Sequence, residues 1–275
     1  MSACLHARKM PKIAILAGAH GLPHRVAQAC HEQKKDVFVV ALRDFADAKW
    51  VLDYPYTWLR LGQAGKLFRV LQEQNCTHLV MAGSLRRPRW WNLFPDWEGL
   101  KLFLKLKIHR RGDDTLLRAL ANVFEERGYH IIGADSLLRE SLMPHGVLTK
   151  IQPNDAQRAA IIGALPYLKE WALADKGQAA IVRPDGMIKY ETVLGTDMLI
   201  ERHGMPGAFL IKIKKPQQDR RFDLPTLGLN TVQNAVDVGL AGIAVEGGNA
   251  LFLEREKAVA LADAHGLFIV GIDAT

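Results

Sequence analysis

The run Ile13-Ala14-Ile15-Leu16-Ala17-Gly18-Ala19-His20-Gly21-Leu22-Pro23 decides the fold of the first half of the chain. Its five apolar residues predict a short buried strand, and the glycines and the proline end that strand in a tight turn. After the turn, Val26, Ala27 and Cys30 recur at helical spacing, and the apolar run 37–42 predicts a second buried strand. A strand, a helix and another buried strand in this order predict a parallel, doubly wound α/β sheet.

The turn at Gly18 and Gly21 lies between a strand and a helix, where a phosphate group can meet free backbone N–H groups. The dinucleotide fingerprint G-x-G-x-x-G is not satisfied, because His20 and Pro23 stand where it needs glycine. An NAD-dependent enzyme is therefore disfavoured. Two interpretations stay open: a nucleotide-phosphate site at Gly18 and Gly21, or a plain tight turn.

The composition is that of an ordinary globular protein, with 275 residues of which 49% are hydrophobic and 24% charged. The formal net charge of +7 favours an acidic partner such as nucleic acid, an anionic membrane surface or a phosphorylated ligand. The three cysteines, Cys4, Cys30 and Cys76, form no C-x-x-C pair, which argues against a zinc site and favours a reducing compartment. The sequence shows neither a signal peptide nor an apolar run of about 18 residues. We therefore expect a cytoplasmic protein whose membrane contact is peripheral.

The segment 86–111 combines basic, aromatic and aliphatic residues. It holds eight Lys or Arg and two acidic residues, an excess close to the formal charge of the whole chain, together with Trp90, Trp91 and Trp97. This composition is typical of a segment that lies in a membrane interface. Two alternatives stay open, a core-packing insertion with a solvated basic edge and a surface that grips single-stranded nucleic acid. Its secondary structure is ambiguous, because 101–109 alternates as a strand would.

The regular periodicity breaks between 141 and 153, and we place a domain boundary there. Residues 1–142 are predicted to form a Rossmann-like domain, with the basic aromatic segment as an insertion. Residues 143–275 are predicted to form a second α/β domain with more hairpin character.

The second domain contains a charged stretch, Gln218-Asp219-Arg220-Arg221-Phe222-Asp223-Leu224-Pro225-Thr226, after the apolar run 208–211. Pro216 and Pro225 exclude a helix through it, so we predict a loop or an extended segment. The charges either pair and face solvent, or they hold a metal and a phosphate. In an extended segment Asp219 and Asp223 would lie on the same side and could approach one metal or one water. The two arginines could clamp phosphate oxygens.

Over nearly its whole length the chain resembles the LpxI family, UDP-2,3-diacylglucosamine pyrophosphatases of lipid A biosynthesis. The resemblance rests on the following motifs: 15–23, 39–42 with 45–47, 110–117, 177–179, 195–198 and, most specifically, 218–228. Two positions depart from the family pattern. Ala19 or His20 stands where the turn usually has another glycine, and Leu194 stands where an acid is expected before Gly-Thr-Asp.

The resemblance implies an activity and its setting. Water attacks the α-phosphorus of UDP-2,3-diacylglucosamine, with a divalent cation, Mg²⁺ or Mn²⁺, and gives UMP and 2,3-diacylglucosamine 1-phosphate (lipid X). A carboxylate of the Asp-Arg-Arg-Phe-Asp motif is essential. The resemblance also implies a cytoplasmic enzyme, peripherally associated with the anionic cytoplasmic face of the inner membrane, and a homodimer.

The resemblance further implies that domain 1–142 takes the nucleotide and lipid substrate and that domain 143–275 is catalytic. We assign roles to residues on these grounds. The predicted catalytic residues are Asp219, Arg220, Arg221 and Asp223. The predicted metal ligands are Asp197, Asp219 and Asp223, with Glu191 as a further candidate. The predicted substrate contacts are Gly18, Gly21, Thr196, Lys212, Gln218 and Thr226. A non-catalytic module that binds a nucleotide sugar or phospholipid remains the alternative. No recognisable nucleic-acid fold supports a nucleic-acid partner, and we predict none.

Overall fold

The computed structural model describes residues 11–85, 95–106, 113–222 and 224–274. The chain divides into two compact units, Met1–Leu137 and Leu138–Thr275.

Within the described residues, the first unit is built on a five-stranded sheet in which all strands run parallel. Its strands are β1 (Lys12–Ala17), β2 (Val37–Leu42), β3 (Tyr56–Leu59), β4 (Cys76–Ala82) and β5 (His130–Ile131). Its helices are α1 (Leu22–Glu32), α2 (Ala48–Val51), α3 (Ala64–Glu73), α4 (Trp97–Leu106), α5 (Asp113–Glu126) and α6 (Ala134–Leu137). The spatial order is β3-β2-β1-β4-β5, so the predicted parallel, doubly wound sheet is confirmed.

The strand order reverses between β1 and β4, because β2 and β3 extend the sheet on one side of β1, and β4 and β5 extend it on the other. In such sheets the reversal opens a crevice outside the carboxyl ends of the two central strands, where ligands bind. The turn that follows β1 begins at Gly18, and the turn that follows β4 begins at Gly83. The glycine turn singled out in the sequence therefore lies at this switch point.

Three local features differ from what the sequence indicates or resolve it. The apolar character of 129–134 favours a strand of that length, but β5 contains only two of these residues, and β3 was not predicted. The ambiguous stretch from Lys101 is helical through Leu106, as the second half of α4. Residues 86–94 and 107–112 of the basic aromatic segment lie outside the described residues.

Two histidines face each other on neighbouring strands of this sheet. The rings of His78 on β4 and His130 on β5 lie 5.1 Å apart between centroids. Burial, and next the charge of His130, lower the pKa of His78 below its ordinary value of 6.5. The folded chain therefore takes up this proton less readily than the unfolded chain does.

We expect the first unit to lose stability as the pH falls below about 6.5, because the unfolded state then binds a proton that the folded state resists. His78→Gln should weaken this pH dependence. The measurement is the urea unfolding midpoint of both proteins at about pH 8 and about pH 5.5. An unchanged difference between the two midpoints in the variant would contradict the assignment to His78.

The second unit is a mixed sheet with helices on both faces. Its strands are β6 (Gly146–Val147), β7 (Ala179–Val182), β8 (Ile188–Tyr190), β9 (Phe209–Lys212), β10 (Thr226–Leu227), β11 (Gly242–Glu246), β12 (Leu251–Phe252) and β13 (Phe268–Ile272). Its helices are α7 (Asp155–Leu173), α8 (Gly195–His203), α9 (Leu229–Asp237) and α10 (Arg255–Ala264). Among the described residues, the larger sheet has the order β6-β13-β11-β9-β7-β8, and β10 and β12 form a separate parallel pair.

The centre of the larger sheet consists of the parallel strands β9, β11 and β13, which are apolar along most of their length. Alternate residues point to opposite faces. Leu210 and Ile243 pack into the cluster formed with α8, α9 and α10. Ile211 and Ala244 pack into the cluster formed with α7. This three-layer arrangement confirms the predicted C-terminal α/β fold.

Candidate functional site

The carboxyl ends of the central strands of the second unit meet at one edge of the sheet, here called the carboxyl edge. Lys212 at the end of β9 is paired with Val245, and Glu246 at the end of β11 is paired with Ile272. The loop 213–225, which contains the Asp-Arg-Arg-Phe-Asp motif, leaves the sheet at this edge. Ligands of parallel α/β sheets bind outside the carboxyl ends of the strands, so the motif lies where the fold places a site.

The motif loop turns sharply. The backbone N–H of Phe222 donates to the carbonyl of Asp219 at 3.1 Å, and residues 220–222 form a turn. The extended conformation, one of the two alternatives for this stretch, is therefore wrong for residues 219–222. Asp219 and Asp223 were expected on one side of an extended segment, and the turn at 219–222 removes the reason for that expectation. Asp223 lies outside the described residues.

Asp219 and Arg221 pair within this turn. The Arg221 guanidinium donates through Nη2 to Oδ2 at 2.8 Å and through Nε to Oδ1 at 3.1 Å. The backbone N–H of Arg221 also donates to Oδ1, at 3.0 Å. Both carboxylate oxygens of Asp219 thus accept hydrogen bonds from Arg221, which orients the two side chains relative to each other.

Arg220 leaves the turn toward the loop that follows β11. Its Nη1 donates to Oδ1 of Asn249 at 2.9 Å, and its Nη2 donates to the carbonyl of Gly248 at 3.0 Å. The amide of Asn249 donates in turn to Oε1 of Glu246 at 2.6 Å. The first arginine of the motif is thereby connected to the end of a central strand.

Three of the predicted substrate contacts make hydrogen bonds that shape the motif loop. The ammonium of Lys212, which is buried, donates to the carbonyl of Thr226 at 3.0 Å. The buried side-chain oxygen of Gln218 accepts from the backbone N–H of Lys215 at 3.3 Å. The hydroxyl of Thr226 donates to the carbonyl of Leu224 at 3.2 Å. The first of these bonds joins the two ends of the loop near the carboxyl edge, and the other two link residues that are two or three positions apart.

Thr196 and Glu191 lie at the same edge, because β8 ends there. The buried carboxylate of Glu191 accepts from the hydroxyl of Thr196 at 2.6 Å and from the backbone N–H of Gln178 at 2.7 Å. The carbonyl of Gln178 accepts from the N–H of Ile213 at 2.9 Å, which connects this group to the start of the motif loop.

Asp197, the third predicted metal ligand, lies in the first turn of α8. Its Oδ1 accepts from the amide of Asn234 on α9 at 3.1 Å. Within the part of the chain that the structure describes, the side chains of His, Cys, Asp and Glu form no group of three that could hold a metal ion.

In the first unit, Gly18 makes a close backbone contact. A Cβ atom on Gly18 would lie 2.8 Å from the carbonyl oxygen of Ser84 and 2.9 Å from that of Gly83. At Gly21, the N-cap of α1, a Cβ atom would meet nothing within 4 Å. His20 adopts a φ of 69°, the left-handed conformation that glycine adopts most readily. A glycine at position 20 would adopt this backbone at a lower cost than histidine does.

We expect Gly18→Ala to destabilise the first unit by about 1–3 kcal/mol, since the new methyl group must displace backbone carbonyls of the neighbouring turn. Gly21→Ala is the matched control, and its cost should stay below about 1 kcal/mol because only the helix cap changes. Urea unfolding of both variants checks this. Equal losses would contradict the close approach at Gly18.

Three further residues lie at the carboxyl edge that were not predicted as site residues: Lys214, Glu246 and Asn249. The N–H of Lys214 donates to Oε2 of Glu246 at 2.7 Å. One signal was available. Glu246 directly follows the apolar stretch 242–245, whose residues are typical of a buried strand, and polar residues that end parallel strands are candidates for a site.

Comparisons with known proteins agree with this architecture. The family model of the LpxI N-terminal domain matches residues 12–141, and that of the LpxI C-terminal domain matches residues 144–270. The UDP-2,3-diacylglucosamine pyrophosphatase LpxI of Caulobacter vibrioides is 37% identical over 277 residues, which cover 96% of this chain and 98% of that protein.

A structure of glycinamide-RNase-transformylase T from Mycobacterium tuberculosis aligns with 66% of this chain and 43% of its own, at 13% identity and a TM-score of 0.26. That similarity is too low to support any argument. The two domain matches and the full-length relative, by contrast, account for nearly every residue, and the chain therefore belongs to the LpxI family.

Proposed function

We propose that the chain hydrolyses the diphosphate bond of UDP-2,3-diacylglucosamine and gives UMP and 2,3-diacylglucosamine 1-phosphate in lipid A biosynthesis. The observation that carries the proposal is the position of the Asp-Arg-Arg-Phe-Asp motif. It lies at the carboxyl edge of a parallel sheet, in a chain whose relative bears the name of this activity.

In the proposed reaction the oxygen of a water molecule forms a bond to the α-phosphorus. The bond between that phosphorus and the bridging oxygen breaks, and the bridging oxygen leaves with the sugar phosphate. A carboxylate of the motif, Asp219 or Asp223, orients the water and takes its proton. Arg220 and Arg221 bind phosphate oxygens and offset the negative charge that grows on the leaving group.

We propose Mg²⁺ or Mn²⁺ as the cofactor, held by Asp223 with Asp219 and Asp197. The donor chemistry fits, because hard cations of this kind take carboxylate oxygens and are often held by one or two carboxylates plus substrate phosphates. The buried side-chain oxygen of Gln178, a residue whose N–H binds Glu191, has no hydrogen-bond partner among the described residues. It is a further oxygen at this edge that could ligate a metal. When bound, the cation would neutralise charge on the diphosphate.

Gly18 and Gly21 stay predicted contacts for a phosphate of the nucleotide. Their turn supports the proposal because it lies at the switch point of the first sheet and leads into the N-terminus of α1.

The proposed function is tested by hydrolysis of UDP-2,3-diacylglucosamine in ¹⁸O-labelled water with Mg²⁺. Label in UMP is expected and marks attack on the α-phosphorus. Label in the sugar phosphate would overturn that step. Binding of the substrate without any UMP release would instead favour the alternative, a binding module without turnover.

We further propose that the enzyme works in the cytoplasm, at the anionic face of the inner membrane, through α4. Trp97 is 70% exposed and Leu104 67% exposed, and with Leu100 they follow the i, i+3, i+7 spacing of one helix face. The ammonium of Lys101 lies 5.5 Å from the Trp97 ring. Exposed Trp and Leu with Lys nearby suit a peripheral contact with acidic lipids. Among the described residues, no helix has the length and apolar character needed to cross a bilayer.

Co-sedimentation with vesicles tests this membrane contact. The wild-type chain should sediment with vesicles that contain phosphatidylglycerol and much less with pure phosphatidylcholine. Leu104→Glu should release it, whereas Leu52→Glu, at a position of the first unit that is 60% exposed, should not. Equal binding by the two variants would refute the role of α4.

We also propose a homodimer. On α7, Ile162 is 68% exposed and Leu173, three turns further along the same face, is 59% exposed, although exposed helix faces are normally polar. A second copy of the chain could cover this face by helix pairing about a two-fold axis. Light scattering should give twice the chain mass, and Ile162→Glu should give the monomer. A wild-type monomer would refute the proposal.

A further inference from the structure

We infer that Glu246 and Asn249 are positioning residues that hold the guanidinium of Arg220 in place for the diphosphate of the substrate. The inference rests on the proposed function only for the identity of the group that Arg220 binds. Neither residue belongs to the Asp-Arg-Arg-Phe-Asp motif, and both act through Arg220.

The network begins on a rigid element. Glu246 is the last residue of β11, a central strand that is paired with β9 on one side and β13 on the other. Glu246 is only 9% exposed, and each of its carboxylate oxygens accepts a hydrogen bond. Oε2 accepts from the backbone N–H of Lys214 at 2.7 Å, and Oε1 accepts from the amide of Asn249 at 2.6 Å. A buried carboxylate with both oxygens engaged is restrained to one orientation.

The donor and acceptor chemistry determines how Asn249 is oriented. An ionised Glu246 only accepts hydrogen bonds, and the guanidinium of Arg220 only donates them. The amide nitrogen of Asn249 must therefore face Glu246, and its oxygen must face Arg220. With the amide flipped, its oxygen would face the carboxylate of Glu246 and its nitrogen would face the guanidinium of Arg220, and neither pair could form a hydrogen bond. Because its amide nitrogen binds the carboxylate of Glu246, Asn249 presents its own oxygen as a hydrogen-bond acceptor to Arg220.

Arg220 is then held at two points of one loop. Its Nη1 donates to Oδ1 of Asn249 at 2.9 Å, and its Nη2 donates to the carbonyl of Gly248 at 3.0 Å. Arg220 is itself exposed, and a long exposed side chain samples many rotamers unless it is restrained. A guanidinium that is oriented before the ligand arrives loses less rotamer freedom when it binds phosphate oxygens.

The same carboxylate also anchors the motif loop where it begins. The bond from the N–H of Lys214 to Glu246 lies two residues after β9, so Glu246 orients both the start of the loop and, through Asn249, the arginine in it. Sequence separations of 32 residues from Lys214 to Glu246 and 29 residues from Arg220 to Asn249 show that the tertiary fold alone brings these groups together.

The test is a double-mutant cycle on the full chain, with UDP as the diphosphate probe. The proteins are the wild type, Arg220→Ala, Asn249→Ala and the double variant, and the measurement is the Kd of UDP by titration calorimetry. Asn249→Ala should weaken binding about tenfold in the wild type, and it should cause no further loss in the Arg220→Ala background. Equal losses in both backgrounds would overturn the inference, because Asn249 would then act independently of Arg220.

Two further variants separate positioning from folding. Glu246→Gln keeps the size of the side chain but has one acceptor oxygen instead of two. Its loss of UDP affinity should be smaller in the Arg220→Ala background, where only its bond to Lys214 can still matter. Gln233→Ala is the control. It removes an exposed amide that donates to Asp237, which is not part of the network, and it should leave UDP affinity unchanged. Thermal unfolding of every variant checks that it is folded.

UMP release from the lipid substrate is measured in the same proteins, with guanidinium ion added to the Arg220→Ala variants. Guanidinium should restore more activity when Asn249 is present than when it is alanine, which a merely structural role would not produce. If the effects of Asn249→Ala and Arg220→Ala on UDP affinity are coupled but the chain releases no UMP, the proposed function is refuted and the positioning inference stands. UMP release without coupling would refute the inference alone.

Discussion

Replacing Asp223 with asparagine is expected to reduce UMP formation by at least about 10³-fold, equivalent to about 4 kcal/mol of transition-state stabilisation. Asparagine keeps the shape of the side chain but removes the negative charge that a cation or an attacking water needs. The expectation for Asp223 rests on the motif, since this residue lies outside the described residues. The measurement is the initial rate of UMP release at saturating substrate.

Asp219→Asn should retain more activity, with a loss of about 10–100-fold, equivalent to about 1.4–2.7 kcal/mol. Both carboxylate oxygens of Asp219 accept hydrogen bonds from Arg221, so its loss should act in part by releasing that arginine. Asp237→Asn, at an exposed position of the same unit, is the matched control and should behave as the wild type. An Asp219→Asn variant with less activity than Asp223→Asn would contradict the larger contribution expected of Asp223.

Removal of divalent cations with EDTA is expected to lower UMP formation by at least about 10³-fold, and excess Mg²⁺ or Mn²⁺ should restore it. Within the described ranges the carboxylates do not form a ready-made group of three metal ligands. The free chain should therefore bind Mg²⁺ weakly, and a bound diphosphate should supply the missing oxygen ligands.

Titration with Mg²⁺ in the presence and absence of UDP measures this coupling directly. We expect the Kd of Mg²⁺ to fall when UDP is bound, and by linkage UDP should bind more tightly when Mg²⁺ is present. Full activity in the EDTA-treated chain would refute the requirement for a metal. Equal Mg²⁺ affinity with and without UDP would refute the shared site.

The fold of the first unit could be predicted because its signals are local. The apolar runs of β1 and β2 are buried on both faces, as the strands of a parallel sheet must be, and the glycine turn between β1 and α1 stands in the sequence itself. The bounds of the short strands were harder to predict. Only two residues of 129–134 form β5, because strand length depends on the pairing partner at the edge of the sheet.

The sequence marks the residues of the candidate site, and it leaves their geometry open. The motif 218–226 could be selected by its charge, by its prolines and by its resemblance to a family. The sequence did not distinguish between a loop and an extended segment for this motif. The turn from Asp219 to Phe222 depends on one backbone hydrogen bond, which competes with other local arrangements. The bond between Asp219 and Arg221 then follows from that turn.

The sequence by itself determined the α/β class, the glycine turn after the first strand and the motif that marks the family, because each depends on residues that are neighbours along the chain. Only the tertiary structure decided that this motif lies at the carboxyl edge of the second sheet and that Arg220 is bound to the loop after β11. The physical reason is that parallel strands bring their carboxyl ends to one edge, so that a buried carboxylate on one strand can orient an arginine that follows another.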